Sequence, residues 1–271
     1  MTTTGFLHPG QMGTSIAAAC RGERAWCSEG RSNATRARAE AAGLTEIPTL
    51  TEFAEHCDTI VSICPPGEAD HVADMVAATG FTGTYVDANA ISPATTRNIA
   101  RRFEHYVDGG VIGPPAHSPG TTRLYLSGDD AGTVAALWDG SVLDARAIEG
   151  GVGSASAVKM LYAAWGKHNA ALMLAIEAAA EAYGAADTIR SEWAISRPDL
   201  VTRSEAAAAD TAPKAWRFEG EMHEVAATFD DAGLPPEFHR GAAEIFRRMA
   251  GFKDAAAPVS VEQVVAALLT R

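Results

Sequence analysis

The first twenty residues restrict the fold more than any other part of the chain. Thr4-Gly5-Phe6-Leu7 is a short apolar run that stops at His8-Pro9-Gly10, and an alanine-rich helical stretch begins at about Met12. The reading is strand, tight turn, helix, with glycines where a backbone must come close to something. In a dinucleotide-binding fold, Gly10 lets the chain approach a pyrophosphate, Gly13 lets the helix pack on the strand, and the helix N-terminus faces the anion. The G-x-G-x-x-G fingerprint would have its first glycine where this chain has His8. Pro9 fixes its own φ at about −65° and biases His8 towards extended conformations, so the proline can hold the turn, with one N–H donor fewer. An ordinary tight turn between strand and helix is the competing reading.

The residues beyond this stretch repeat its alternation. Ala25-Trp26-Cys27, Asp58 to Cys64, Tyr85-Val86-Asp87 and Tyr106-Val107-Asp108 read as buried strands, and Asn33 to Ala42, Glu68 to Ala78 and Ala94 to Arg102 read as helices. Strands alternating with helices over about 110 residues predict a doubly wound parallel sheet, a Rossmann α/β domain over residues 1–153. Ligands of such sheets bind beyond the carboxyl ends of the strands, so the loops at His8, Ser28, Pro65, Asn89 and Gly109 are expected to share one crevice.

At the end of the second strand the chain offers two ways to hold an adenosine ribose. Glu29 has the spacing of an acid that takes the 2′-hydroxyl of NAD, whereas Arg31-Ser32 at a helix start suits the 2′-phosphate of NADP. Solvated charges in a polar loop are the plain alternative, and the balance favours NADP. Further on, Asp108 to Thr122 is dense in Gly and Pro and reads as a loop, either a substrate loop beside the crevice or a rigid surface turn. Leu124 to Gly128 then reads as a strand and Ala131 to Trp138 as a helix.

Glu149-Gly150-Gly151-Val152-Gly153-Ser154 marks a boundary, after which residues 154–271 are expected to form an all-helical domain. It opens with a helix of nearly 30 residues, Ala155 to Tyr183, rich in Ala and Leu and poor in charge, which needs burial on most of its circumference. Lys159 lies in its first turns with Tyr162 three residues on, along the same face. Lys159 is either a functional amine at a buried helix start or a lysine that snorkels to the surface. Helices continue after Gly184, with breaks at Pro198, Pro213 and Pro235-Pro236.

Composition excludes several classes. A net charge of −12 argues against a nucleic-acid partner. No apolar run approaches membrane-spanning length, and a glycine fingerprint starting at Gly5 leaves no room for a signal peptide, so the expectation is a cytoplasmic protein. Cys20, Cys27, Cys57 and Cys64 form no C-x-x-C pair, against a disulfide framework or a cysteine metal site.

Together these residues resemble the β-hydroxyacid dehydrogenase superfamily, which includes 3-hydroxyisobutyrate and 6-phosphogluconate dehydrogenases and the imine reductases. Gly5 to Gly13 looks like its cofactor signature, down to the Met before the last glycine. Asp87 to Pro93 looks like its D-x-(S/T/N)-x-x-x-P segment, and Asp108 to Gly113 like its substrate-loop motif. Gly151 to Lys159 looks like the G-x-G-x-x-x-x-x-K entrance to its long interdomain helix. The resemblance implies NADP or NAD held by His8, Pro9, Gly10, Gln11, Met12, Gly13, Ser28, Arg31, Ser32, Cys64, Pro65, Pro66 and Asn89. It implies a substrate bordered by Ile112, Gly113, Pro114, Pro115 and Lys159, with Lys159 catalytic and a homodimer built through the helical domain; Tyr162, on the same face as Lys159, is the catalytic candidate to replace part of the family's asparagine contact.

The departures are specific: the family's substrate-binding serine falls on Ile112, and the asparagine four residues after the lysine falls on Ala163. Three functions are therefore weighed. The first is hydride transfer between a nicotinamide cofactor and a small polar alcohol or carbonyl, with Lys159 as general acid/base. The second is imine reduction, although imine reductases usually carry Asp or Tyr at the position of Lys159. The third is a cofactor-binding module without turnover.

Overall fold

The computed structural model describes residues 2–253, 255 and 257–270. The chain divides into two compact units, Met1–Met160 and Leu161–Arg271. The division falls inside one long helix.

In the first unit the strands β1 (Thr3–Phe6), β2 (Glu23–Cys27), β3 (Thr45–Ile47), β4 (Thr59–Ser62), β5 (Thr84–Asp87), β6 (His105–Ile112), β7 (Arg123–Ser127) and β8 (Asp144–Ala147) form one sheet. Their order is β3-β2-β1-β4-β5-β6-β7-β8. All neighbours are parallel except β6 and β7, which run antiparallel with Asp108 opposite Ser127. The order reverses between β1 and β4, which places a crevice at their carboxyl ends.

The central strands are buried on both faces, and successive residues feed opposite cores because a strand has a side-chain period of two. Phe6, Trp26, Val61, Val86 and Val107 point into one cluster with Ile16 and Ala17 of α1 (Gln11–Ala19), Ala39 of α2 (Asn33–Ala41) and Trp138. Leu7, Cys27, Ile60, Tyr85 and Tyr106 point into the other. There they meet Phe53 of α3 (Leu50–His56), Val72 and Val76 of α4 (Ala69–Ala78) and Ile99 of α5 (Pro93–Ala100). On the first face α6 (Ala131–Ala135) adds Val134. The doubly wound arrangement is thus built from strands whose alternate side chains are apolar on both sides.

Three elements depart from the sequence reading. β3 and α3, over Thr45–Ile47 and Leu50–His56, fall where no element is expected, and so does the edge strand β8. The expected loop from Asp108 begins later, because β6 runs on to Ile112. Gly109 and Gly110 serve close packing there. A Cβ on Gly109 would lie 3.0 Å from Asp87 O, and one on Gly110 would lie 2.6 Å from Ala155 O and 2.9 Å from Lys159 Cβ.

The long helix is α7 (Ser154–Ala182), and α8 (Ala186–Ser196), α9 (Asp199–Thr211), α10 (Ala215–Asp231), α11 (Glu237–Arg248) and α12 (Val261–Leu269) come after it. The second unit is all-helical among its described residues. Its buried Glu177 is matched by Arg190 Nε at 3.0 Å and Ser204 Oγ at 2.7 Å, so its charge is compensated inside the unit. No helix of the described residues is long and apolar enough to cross a membrane.

Candidate active site

The turn between β1 and α1 is closed by its own backbone. Gly10 N donates to His8 O at 2.7 Å, and the Pro9 carbonyl accepts from Thr14 Oγ1 at 2.9 Å and Arg38 Nε at 3.3 Å. A Cβ on Gly13 would lie 2.6 Å from His8 O, so only glycine lets α1 approach the strand end this closely. A Cβ on Gly10 would meet nothing within 4 Å. No side chain caps α1 at Gly10, whereas Ser32, Thr49 and Ser92 cap α2, α3 and α5. Open space above an uncapped helix start beside a tightly packed glycine is the cradle a dinucleotide pyrophosphate requires, and these residues fit it.

One cleft of about 400 Å³ lies beside this turn. Leu7 and His8 from the end of β1, Cys27, Glu29 and Arg31 from the end of β2, and Leu50 line it. Opposite them are Cys64 after β4 and Glu68, His71, Val72, Met75 and Val76 at α4. Its lining mixes apolar and charged side chains, as a site for a base and a charged ribose would need. Burial, and next the Arg31 guanidinium, pull the His8 imidazole down to about 4, so it is neutral at pH 7. Its Nδ1 is buried without a hydrogen-bonding partner. Burial, followed by the Asp87 carboxyl, pushes the Cys64 thiol up to about 12, which rules out a thiolate there at neutral pH.

The two candidates for the ribose differ in what they already do. Glu29 Oε2 accepts from Leu50 N at 2.7 Å, so this carboxylate holds the start of α3. Arg31 donates through Nε to Glu29 O at 3.0 Å, and its terminal N–H donors are those of a phosphate fork. Ser32 is exposed and caps α2 by accepting from Thr35 N. Ser28 is buried, and its amide bonds Ile47 O in β3.

At the ends of β4 and β5 the sequence candidates converge. Asn89 Oδ1 accepts from Cys64 N at 2.6 Å, its Nδ2 donates to Ser62 Oγ at 3.2 Å, and its own amide donates to Asp87 Oδ1 at 3.0 Å. The carboxamide therefore fixes the Cys64-Pro65-Pro66 turn against β5. The remaining candidates lie elsewhere. Gln11 shares a second groove, of about 690 Å³, with Thr14, Arg38, Pro115 and His117. Ala116 N donates to Ser15 Oγ at 2.9 Å, which pins the segment after β6 to α1. Ile112 is buried in the sheet, Gly113 has a φ of +126°, and Pro114 O accepts from Thr122 Oγ1 at 2.5 Å. Lys159 is half-buried, with its Cβ against Gly110, and Tyr162 is 62% exposed.

A cluster that local sequence patterns give no reason to single out governs where α7 starts. Asp108 is fully buried; its Oδ2 accepts from Ser127 Oγ at 3.0 Å, Gly153 N at 2.9 Å and Ser156 N at 3.0 Å, and its Oδ1 from Ser156 Oγ at 2.5 Å. Ser127 Oγ in turn accepts from Ala155 N at 3.0 Å. The first amides of α7 are thus satisfied by a strand carboxylate, which also suits the positive end of the helix dipole. This sets Lys159 one turn further along.

Comparison with known proteins agrees with this architecture. The structure of the conserved protein MTH1747 of unknown function, reported for its similarity to 3-hydroxyacid dehydrogenases, matches at 26% identity. It covers 92% of this chain and 97% of its own, with a TM-score of 0.68. Mycobacterium tuberculosis 3-hydroxyisobutyrate dehydrogenase with L-serine matches at 17% identity over 100% of both chains, with a TM-score of 0.69. Psf3 in complex with NADP+ and 2-OPP matches at 16% identity over 98% and 100%, with a TM-score of 0.63. An uncharacterized 28.5 kDa protein in the 7S RNA 5′ region of Methanothermus fervidus is 28% identical over 165 residues, 60% of this chain and 64% of that protein's length. The fold is similar to that of 3-hydroxyacid dehydrogenase-like structures. Within the chain, residues 180–249 match the family model described as a domain of unknown function, DUF1932.

Proposed function

We propose that the chain is an NAD(P)-dependent oxidoreductase that prefers NADP and acts on a small polar alcohol or carbonyl compound. The observation that carries this reading is the β1–α1 turn: Gly13 packed on His8 O, open space at Gly10, and a cleft beside them with Arg31 on its wall. A bound nicotinamide would supply or accept the hydride. The residues to hold such a cofactor are those of the turn from His8 to Gly13, Arg31 on the cleft wall, and the Cys64-Pro65-Pro66 turn braced by Asn89. The preference for NADP is supported by Arg31 on the cleft wall and by the bond from Leu50 N to Glu29 Oε2, which ties that carboxylate to the start of α3. An NADP+ complex of a protein with this fold is in keeping with it.

Lys159 is assigned the proton at the substrate oxygen, donated as the carbonyl is reduced or taken up as the alcohol is oxidised. Its support is placement: α7 is registered by Asp108 at its first turn and rests on Gly110, so the amine stands on a fixed base. Tyr162 and the Gly113–Pro115 segment are the next substrate contacts proposed. The assembly proposed is a homodimer, since Leu161, Trp165, Leu172 and Ile176 expose an apolar stripe along one face of α7 that a second copy would cover. The four cysteines are free, as a cytoplasmic protein would keep them.

The test is cofactor titration by fluorescence. Arg31→Ala should weaken NADPH by about 1.5–3 kcal/mol, the scale of a charge-assisted hydrogen bond, and leave NADH nearly unchanged. Equal losses would move the weight to Glu29 and NAD. A turnover screen over carbonyl, alcohol and amine substrates completes it; tight binding with no turnover would favour a binding module.

A further inference from the structure

The proposed chemistry uses only the backbone of His8, yet its side chain is the feature that most distinguishes this cleft. It stands where the dinucleotide fingerprint has glycine, so an imidazole occupies the wall where that pattern leaves none. It lines the same 400 Å³ cleft as Arg31, and the charge of Arg31 is felt at the ring, so the two groups border one small region. Its Nδ1 is buried with no partner. A buried polar atom left without a bond costs free energy unless a ligand supplies one.

We propose that His8 is the second cation of the nucleotide cleft: when an adenosine 2′-phosphate binds, the imidazole takes up a proton from solvent and pairs with the phosphate together with Arg31. The proposal rests on the NADP reading and adds to it a regulation, a preference for NADP over NAD that strengthens as pH falls. The sign comes from the surroundings. Burial and Arg31 both oppose a charge on His8. A phosphate dianion between the two groups reverses the balance, because its two negative charges outweigh the one positive charge that each cation feels from the other.

The other titratable and charged groups around the cleft are Cys27 and Glu29 at the end of β2, Cys64 after β4, and Glu68 and His71 at α4. Burial raises both thiols, so neither gains a negative charge near neutrality. Glu29 is held by Leu50 N, which keeps its carboxylate on α3. His71 could also take up a proton, so it needs its own control.

Calorimetric titration with 2′,5′-ADP and 5′-AMP at pH 7, in buffers of different ionisation enthalpy, reads the proton directly and needs no turnover. Wild-type protein should take up a fraction of one proton per 2′,5′-ADP and none per 5′-AMP. His8→Gln, with His8→Asn as a second replacement, should abolish the uptake and weaken 2′,5′-ADP about tenfold, the scale of one charge-assisted hydrogen bond. His71→Gln should keep it. Should neither His8 variant fold, the wild type and His71→Gln decide the matter between them. Preference for 2′,5′-ADP without proton uptake, with uptake that survives at position 8, or with uptake lost in His71→Gln overturns the role of His8 and leaves the NADP reading standing. Equal binding of the two nucleotides overturns both.

Discussion

Asp87 gives a measurement whose size is set by its surroundings. The side chain is 1% exposed, its Oδ1 accepts from Asn89 N at 3.0 Å, and its Oδ2 is buried without a partner. Burial raises the carboxyl from 3.8 to about 7, partly offset by the Asn89 amide and reinforced by the Asp108 carboxylate. Between about pH 4 and pH 7 the folded protein therefore keeps a proton that the unfolded chain has lost. The stability due to this group is complete below the unfolded value and is lost as pH rises through about 7. One pKa unit is worth about 1.4 kcal/mol, so a difference of about three units sets a ceiling of roughly 4 kcal/mol.

Asp87→Asn keeps an oxygen for the Asn89 amide and carries no charge. Urea unfolding at pH 5, 6, 7 and 8 should show the stability of the variant relative to wild type growing by roughly 2–3 kcal/mol across the series. His8 acts in the opposite direction: held neutral with a folded value of about 4, it takes stability away as pH falls below its unfolded value of 6.5. That contribution is the same in both proteins and cancels in the difference. A stability difference that does not change with pH would mean that Asp87 is ionised in the folded state, and the reasoning from burial would fail.

Lys159→Met should lower kcat by about 10²–10⁴-fold with NADPH affinity nearly intact, because the cofactor is held by other residues. Near-normal turnover would end the assignment and pass the proton to Tyr162 or His117. Light scattering at micromolar concentration should give the mass of a dimer, and Trp165→Glu, which puts a charge on the exposed apolar face of α7, should shift it to monomer. A wild-type monomer would refute the dimer.

The central strands were legible because Thr59–Ser62 and Thr84–Asp87 are β-branched or aromatic runs bounded by turns and buried on both sides. β3 and β8 were not, because they lie at the sheet's edges and carry exposed or half-exposed charges at Glu46, Asp144 and Arg146. Gly109-Gly110 misled for a physical reason: glycine marks a turn and a close approach equally well, and only the neighbours tell which. The same holds for the candidate site. The glycines of the β1–α1 turn announce themselves locally, but Glu29 finds its partner 21 residues away and Asp108 finds Gly153 at a separation of 45. No local pattern encodes those meetings.

The grip of Asp108 on Gly153 and Ser156 also bears on how this chain can be cut and joined. A swap of helical parts between relatives, made at the glycine-rich boundary before Ser154, would part the helix from the carboxylate that terminates it. The foreign helix would bring its own side chain to position 156, and where that side chain lacks a hydroxyl the buried Asp108 loses the bond that Ser156 Oγ gives it. A junction placed past Met160 carries the whole clasp with the sheet. Where recombination between such genes has left working proteins, the crossover should lie inside the helix and not at the glycines that look like the natural seam.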